Sequence, residues 1–418
     1  MPRMVRTDIP LADIDISAVE FWTGDRQRRE DVFATLRQHP AQFFEEVEYE
    51  PFPKGPGYYA FTRYDDVWTA SRNPQLFRSG SGVNIGDMPA EINEFFGSVI
   101  AMDDPRHARL RAVVARGFTP RTIAKVDEYV KVKAAEIISR IQEQFPGGEC
   151  DFVEHVAAPL PLEIICEMMG IPQNDFAQIL AWTNVILGVG DPEAGGTFDT
   201  LLENSMAMYA YAQALGEDRL AKRQDDITSE LMHAEVDGKR MTSQEFGSFF
   251  ILLVAAGNET TRNAISHGMK ALTEQPEQKA IWWSDFDNVT RTAVDEIVRW
   301  SSPVIHMRRT VFSDTELGGI SLKAGDKAVM FYCSANRDET KWTNPHEFDV
   351  RRDLNPQQVG FGAGGPHFCL GANLARREIG VIFREIRDRL PNMRITGEPA
   401  YLQSSFINGI KRMPCSWK

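Results

Sequence analysis

The sequence predicts a mainly α-helical protein with a small β-rich part, folded as a single unit over residues 1–418. Three observations carry this expectation. A helix-length pattern with an apolar centre runs over residues 242–275, an amphipathic helix runs over 370–390, and short β-like runs follow Pro303 with no linker before them.

Taken in order, residues 58–62 read as a strand and 65–71 begin a helix. Residues 80–89, rich in Gly, Asn and Asp, read as a mobile loop. From Thr119 to about Glu235 the pattern is mostly helical, punctuated by Pro159, Pro161, Pro172 and Pro192. Glycines at 188, 190, 195 and 196 mark a second flexible stretch, and the two loops together are expected to gate a site. Thr242 and Glu245 fit a capping box, each satisfying a backbone N–H left free in the first helical turn. The helix they open should be about 50 Å long at 1.5 Å per residue. Its middle, residues 249–256, is apolar on every face, so it should be buried all round. β-like runs then cover 307–311, 317–320 and 327–332. Ile379, Ile382, Phe383, Ile386 and Leu390 give the last helix its apolar face before Pro391 stops it.

Composition excludes several classes. With 46 Lys+Arg against 59 Asp+Glu, the net charge of −13 argues against nucleic-acid binding, which needs positive charge to displace counterions. Hydrophobic content of 43% gives ample core, so a disordered chain is excluded. The cysteines (Cys150, Cys166, Cys333, Cys369 and Cys415) are odd in number and widely spaced, with no CxxC and no C-x-x-C-H. A disulfide framework, a zinc ribbon and covalent haem attachment all lose support, and a reducing compartment is expected. Arg3 and Arg6 are followed by no apolar run, and no stretch approaches 18 apolar residues. A cytoplasmic protein with no membrane span is expected.

Four motifs carry chemistry. The first is Phe361-Gly362-Ala363-Gly364-Gly365-Pro366-His367-Phe368-Cys369-Leu370-Gly371. Its glycines let the backbone approach a flat ligand and aim N–H groups at the sulfur. The start of the last helix favours a thiolate, and a thiolate so placed suits a soft metal such as haem iron. A buried cysteine in a Gly-rich turn is the plainer alternative. Second, Ala256-Gly257-Asn258-Glu259-Thr260-Thr261 interrupts the apolar helix with residues that are costly there. It reads as a helix locally opened beside a ligand; the alternative is a kink with a solvated face. Third, Glu296 and Arg299 stand at i and i+3 on one helix face, a pattern shared with ordinary surface salt bridges. Fourth, His107 and Arg111 stand at i and i+4, a clamp for a carboxylate that a solvated basic face would also produce.

In this order the four motifs resemble the cytochrome P450 family, and the resemblance spans nearly the whole chain. It implies the cytochrome P450 fold, one triangular haem domain, and haem b (iron protoporphyrin IX) as cofactor. Cys369 is then the axial thiolate that ligates the iron. Glu259 and Thr260 match the acid–alcohol pair that handles protons during oxygen activation. Glu296 and Arg299, with Arg352 as third member, match a structural trio. His107, Arg111, Arg309 and His367 match positions that bind the propionates, and Ala256, Phe361, Gly362 and Gly371 complete the haem-contacting set. One departure stands out: the family's aromatic residue lies seven positions before the cysteine, where this chain has Gly362, and Phe361 comes one position earlier. Gly365, four before, is kept.

The resemblance further implies a monooxygenase that uses O2 and electrons from a ferredoxin and an NAD(P)H-dependent reductase, with a monomer as the family default. A cysteine hydrolase pairing Cys369 with His367, and a non-catalytic haem or lipid-binding protein, are the competing classes. The first lacks an orienting third group, and the second has no use for Glu259 and Thr260 inside a core.

Ile164-Ile165-Cys166-Glu167-Met168-Met169-Gly170-Ile171-Pro172 and Cys369-Leu370-Gly371-Ala372-Asn373-Leu374-Ala375-Arg376 look like mycobacterial members of the family. Those hydroxylate the terminal (omega) methyl group of methyl-branched fatty acids or isoprenoid lipids, or of sterol side chains. Attack at a chain end requires a narrow channel that presents only that end. Expected liners are Val254 and Ala255 on the long helix, Val83 in the first loop, Phe95 and Ile100. Val185, Leu187 and the stretch to Val189, with Phe406 near the C-terminus, complete the expected wall. Arg106, Arg109, Arg111 and Arg116, with Arg376 and Arg377, are expected to form a basic patch that steers an acidic ferredoxin.

Overall fold

The computed structural model describes residues 5–48, 52–117, 120–188, 190–193, 197–236 and 238–418, without the side chains of residues 116, 117 and 120–125. The Arg116 side chain, Thr119, Val189, Gly195 and Gly196 therefore lie outside the described residues.

One helix, Ser243–Glu274, organises the rest. The Thr242 hydroxyl accepts from the Glu245 N–H at 3.1 Å, and the Glu245 carboxylate accepts from the Thr242 N–H at 3.0 Å, closing the capping box. Its apolar centre is surrounded by the helices Phe198–Ala221, Pro159–Met168, Phe286–Ser301 and Ala372–Arg389. Phe246, Phe250, Ile251 and Val254 enter a core shared with Ile165, Ile297, Ile382 and Phe383. Burial all round, expected for an all-apolar stretch, holds except at Leu252 and Leu253, which are half-buried, and at Ala256, which is exposed.

The β-rich part is a five-stranded sheet. Its strands are β1 (Gln42–Phe44), β2 (Tyr58–Phe61), β3 (Phe77–Arg78), β4 (His306–Val311) and β5 (Lys327–Phe331), in the order β1-β2-β5-β4-β3. β2 and β5 run parallel, and the other pairs are antiparallel. Every residue of β5 is buried because the sheet is covered on both faces. Ala328 and Met330 enter one apolar cluster while Val329 and Phe331 enter another, as the two-residue period of a strand dictates. Among the described residues no helix is long and apolar enough to cross a membrane.

The loop at residues 80–89, expected to be mobile, is tethered instead. Arg308 on β4 donates to the Asp87 carboxylate at 2.7 Å and to the Ile85 carbonyl at 3.2 Å. Lys327 on β5 reaches Asp87 at 2.8 Å and Glu46 at 2.5 Å. Two buried cations need local oxygen partners, and this loop supplies them. The described part of the second loop is also anchored: the fully buried Asp191 carboxylate accepts from Lys411 at 2.9 Å and from the Gln403 N–H at 2.9 Å.

Candidate active site

The glycine-rich loop ends at Cys369, immediately before the helix Ala372–Arg389. Gly362 and Gly365 take positive φ values of 90° and 77°. At Gly365 a Cβ would fall 2.3 Å from the Ser71 carbonyl oxygen, so only glycine lets the loop lie against that segment. The Cys369 N–H donates to the Phe361 carbonyl at 2.9 Å, which bends the chain back and presents the sulfur. The cysteine is open on one side although protein surrounds it. Burial pushes its thiol up, opposed by the N–H groups of Gly371 and Ala372 and by Arg111 and Arg376. The Phe361 ring lies under the Arg376 guanidinium at 4.5 Å, which is where the shifted aromatic residue of the loop ends up.

The residues expected at the propionates converge from three distant segments. The His107 and His367 rings lie 4.2 Å apart. Arg111 donates to the Phe368 carbonyl at 2.5 Å, and Arg309 on β4 donates to the Arg308 carbonyl at 2.8 Å. Burial first, then Arg309, His107 and Arg111, drive the His367 imidazole down to about 2, so it is neutral. Burial likewise lowers His107. His107 Nδ1 faces Asp104 at 3.3 Å and His367 Nε2 shares a hydrogen bond with Ser79 at 3.2 Å. The other ring nitrogens, His107 Nε2 and His367 Nδ1, are buried with no partner. Two guanidinium groups beside two imidazole nitrogens without partners form a pocket of positive character suited to carboxylates. Haem, with an iron for the thiol and two propionates for the cations, fits this donor set.

Midway along the central helix Ala256 is exposed, with Leu253 and Thr260 half-buried one turn to either side. These recur at the spacing of a single helix face, so they form the open wall. The expected liners Val254 and Ala255 are corrected: Val254 is fully buried in the main core and Ala255 is 7% exposed. They sit a full residue out of phase with the open face.

The helix does not open at residues 256–261 as expected; it is continuous from Ser243 to Glu274. The Thr260 hydroxyl folds back onto the Ala256 carbonyl at 2.7 Å, which satisfies it without breaking the ladder. Glu259 does not join Thr260. Neighbouring helical residues point about 100° apart, and the Glu259 carboxylate turns to Arg262 and to Asn263, the latter at 3.0 Å. Its second oxygen is buried and unpartnered. Arg262 in turn reaches Asn184 on the helix Phe176–Leu187 at 3.1 Å.

One buried acid was absent from the sequence expectations. Glu378, on the helix Ala372–Arg389, is 2% exposed, and burial pushes its carboxyl up to about 8, with a hydrogen bond from Thr261 opposing. It therefore carries a proton at neutral pH, against the central helix.

Of the other expected liners, Val83 and Phe406 come to β4, where the Val83 carbonyl accepts from the Arg308 N–H at 2.7 Å and the Phe406 ring meets His306 at 5.4 Å. Phe95 packs on Tyr209 at 5.3 Å, on a helix whose Glu94 and Phe95 carbonyls accept from Ser248 of the central helix. Ile100 and Leu187 are half-buried, as is Val185.

Glu296, Arg299 and Arg352 do meet. Arg299 grips Glu296 with two bonds of 2.7 and 2.8 Å, and Arg352 adds one of 2.9 Å. Spare guanidinium N–H groups reach the carbonyls of Asn336, Pro345 and Glu347. The expected basic patch is corrected. Glu245 accepts from Arg109 at 2.5 Å, Glu94 from Arg106, and Asp295 from Arg376, while Arg377 pairs with Asp127. Most of its charge is neutralised by acids distant in sequence.

Known proteins bear on this arrangement. The model of the family described as cytochrome P450 matches residues 198–386. The chain is 52% identical over 411 residues to the methyl-branched lipid omega-hydroxylase of Mycobacterium tuberculosis (strain ATCC 25618 / H37Rv), covering 98% of this chain and 96% of that protein. It is 42% identical over 367 residues to the steroid C26-monooxygenase of Rhodococcus jostii (strain RHA1), covering 87% and 76%. The structure of Mycobacterium marinum cytochrome P450 CYP268A2 in complex with pseudoionone superposes with a TM-score of 0.92 at 41% identity, covering 97% of this chain and 99% of that one. A thiol presented by a glycine loop, a cation pocket suited to carboxylates and this similarity along the chain agree: the protein belongs to the cytochrome P450 family of monooxygenases.

Proposed function

We propose that the protein is a haem-thiolate monooxygenase that hydroxylates the terminal methyl group of methyl-branched fatty acids or isoprenoid lipids. The observation that carries the substrate class is the 52% identity, over 98% of the chain, to the methyl-branched lipid omega-hydroxylase. Cys369 would ligate the iron, and His107, Arg111, Arg309 and His367 would hold the propionates. The bound haem supplies the activation of dioxygen and the insertion of one oxygen atom into a C–H bond.

The chain's own residues do the rest. Leu253 and Ala256 give an apolar wall that excludes water and holds the chain end. Thr260 can exchange its bond to the Ala256 carbonyl for one to a reacting group, moving a proton at Oγ1. Glu259, beside Arg262 and Asn263, lies on a different face of the helix from Thr260. Electrons come from a ferredoxin reduced by an NAD(P)H-dependent reductase. A monomeric, cytoplasmic enzyme of one haem domain over 1–418 is in keeping with free cysteines, a main core running from Val99 to Cys415, and a second cluster that ties Ile9 and Ile16 to Val329 and Phe331.

A sterol side-chain hydroxylase is the second reading, supported by the 42% identity to the steroid C26-monooxygenase. The test is a spin-state titration with branched fatty acids and with sterols, followed by mass spectrometry of the products. A branched fatty acid should displace the low-spin spectrum and leave with oxygen on a terminal methyl. Tighter binding and turnover of sterols would favour the second reading, and in-chain oxygenation would overturn both.

A further inference from the structure

Two cysteines lie far from Cys369 in the chain and take no part in the site. The strands Glu149–Asp151 and Pro414–Ser416 pair antiparallel, with Cys150 directly opposite Cys415. Their sulfurs are 3.7 Å apart and share a thiol hydrogen bond. Opposite residues of an antiparallel pair have Cα atoms about 4.5–5.5 Å apart, within the range of about 4.4–6.8 Å that a disulfide spans. Closing to the bond length of about 2.05 Å needs roughly 1.7 Å of side-chain rotation, with no shift of the strands.

We propose that Cys150 and Cys415 form an oxidisable dithiol, a modification site at which a hydroperoxide makes a cross-strand disulfide. Cys150 is half-buried while Cys415 is 1% exposed, so Cys150 meets the oxidant first. Its sulfur attacks the peroxide: an S–O bond forms, the O–O bond breaks, and a sulfenic acid and one water result when the oxidant is hydrogen peroxide. The Cys415 sulfur then displaces the hydroxyl: the S–S bond forms, the S–O bond breaks, and the Cys415 proton leaves with it as a second water. Two thiols give up two electrons and the peroxide takes them.

The other thiols are poor competitors. Burial pushes Cys333 up to about 12 and raises Cys166; Cys415 is raised too, first by its hydrogen bond with Cys150 and then by burial, so its proton leaves only as the S–S bond forms. The bond would staple the strand that follows Lys411 and Arg412, which hold Asp191 and Glu193 of the second loop. Oxidation at this pair would therefore fix the anchor of that loop.

The test treats the full-length holoenzyme with hydrogen peroxide, blocks free thiols with N-ethylmaleimide, and maps peptides without reduction. The expected product is one linked peptide pair holding Cys150 and Cys415, two hydrogens lighter, released by dithiothreitol. The oxidised protein should also melt higher, and dithiothreitol should reverse this. Cys150→Ser should lose both effects with its Soret absorption unchanged. Full alkylation of both cysteines after peroxide, or sulfinic acid on Cys150 with no link, would overturn the proposal. The wild-type peptide map decides the matter even where the variant fails to fold.

Discussion

Two buried clusters of charge stand in different states. Around Glu296 the carboxylate accepts from Arg299, Arg352 and the Asp349 N–H, and the arginines spend their remaining donors on carbonyls. Around His367 the same kinds of group converge, but two ring nitrogens have no partner and no acid faces the Arg309 guanidinium within bonding distance among the described residues. A saturated cluster holds the fold together. The second, with His107 and Arg309 buried and His367 and Arg111 half-buried, offers its donors to an anionic ligand, because buried polar groups left unpaired cost stability.

The contrast can be broken at its strong end first. Arg299→Ala leaves Glu296 buried and strips its bidentate partner, so a stability loss of about 3–5 kcal/mol is expected in urea unfolding. Next comes a buried acid with no arginine. The Glu378 carboxyl, raised to about 8 from 4.5, holds a proton in the folded state that the unfolded chain releases. Its contribution is complete below about pH 4.5 and is lost as pH rises toward 8. Against Glu378→Gln, wild-type stability should fall by up to about 1.4 kcal/mol per pH unit in that window. A flat difference would show that Glu378 is not protonated there. The smallest effect on the fold is expected at Arg309→Ala, which removes a cation with no acid partner. Apoprotein stability should hold, while haem transfer to a scavenger protein should quicken by roughly 10–100-fold, the worth of one charge-assisted hydrogen bond. A stability loss matching that of Arg299→Ala would erase the distinction between the clusters.

What the sequence discloses follows range. The capping box of Thr242 and Glu245 and the burial of most of the helix behind it are local, and both were legible, whereas burial on every face was not met at Ala256. The phase of that helix was not, because residues 249–256 are apolar throughout and nothing in them distinguishes Ala256 from Val254. The fate of Glu259 was within reach, since Arg262 lies three residues on, at salt-bridge spacing. Glu378 reads as a solvent-facing charge on an amphipathic helix until packing sets it against Thr261. The arginine patch failed for the same reason: Glu94, Glu245 and Asp295, which neutralise it, are not its neighbours in sequence. Cys369 was legible because glycine loop, cysteine and helix start are contiguous.

The central claim is that Cys369 and the unsatisfied cluster together hold haem by its iron and its propionates. The direct measurement is the absorption spectrum of the reduced protein under carbon monoxide, for the wild type and for Cys369→His. The wild type should show the strongly red-shifted Soret band of a thiolate-ligated haem, and the variant should retain haem with that band moved to the ordinary position. A wild-type protein without haem, or a red-shifted band that survives the loss of Cys369, would contradict the assignment.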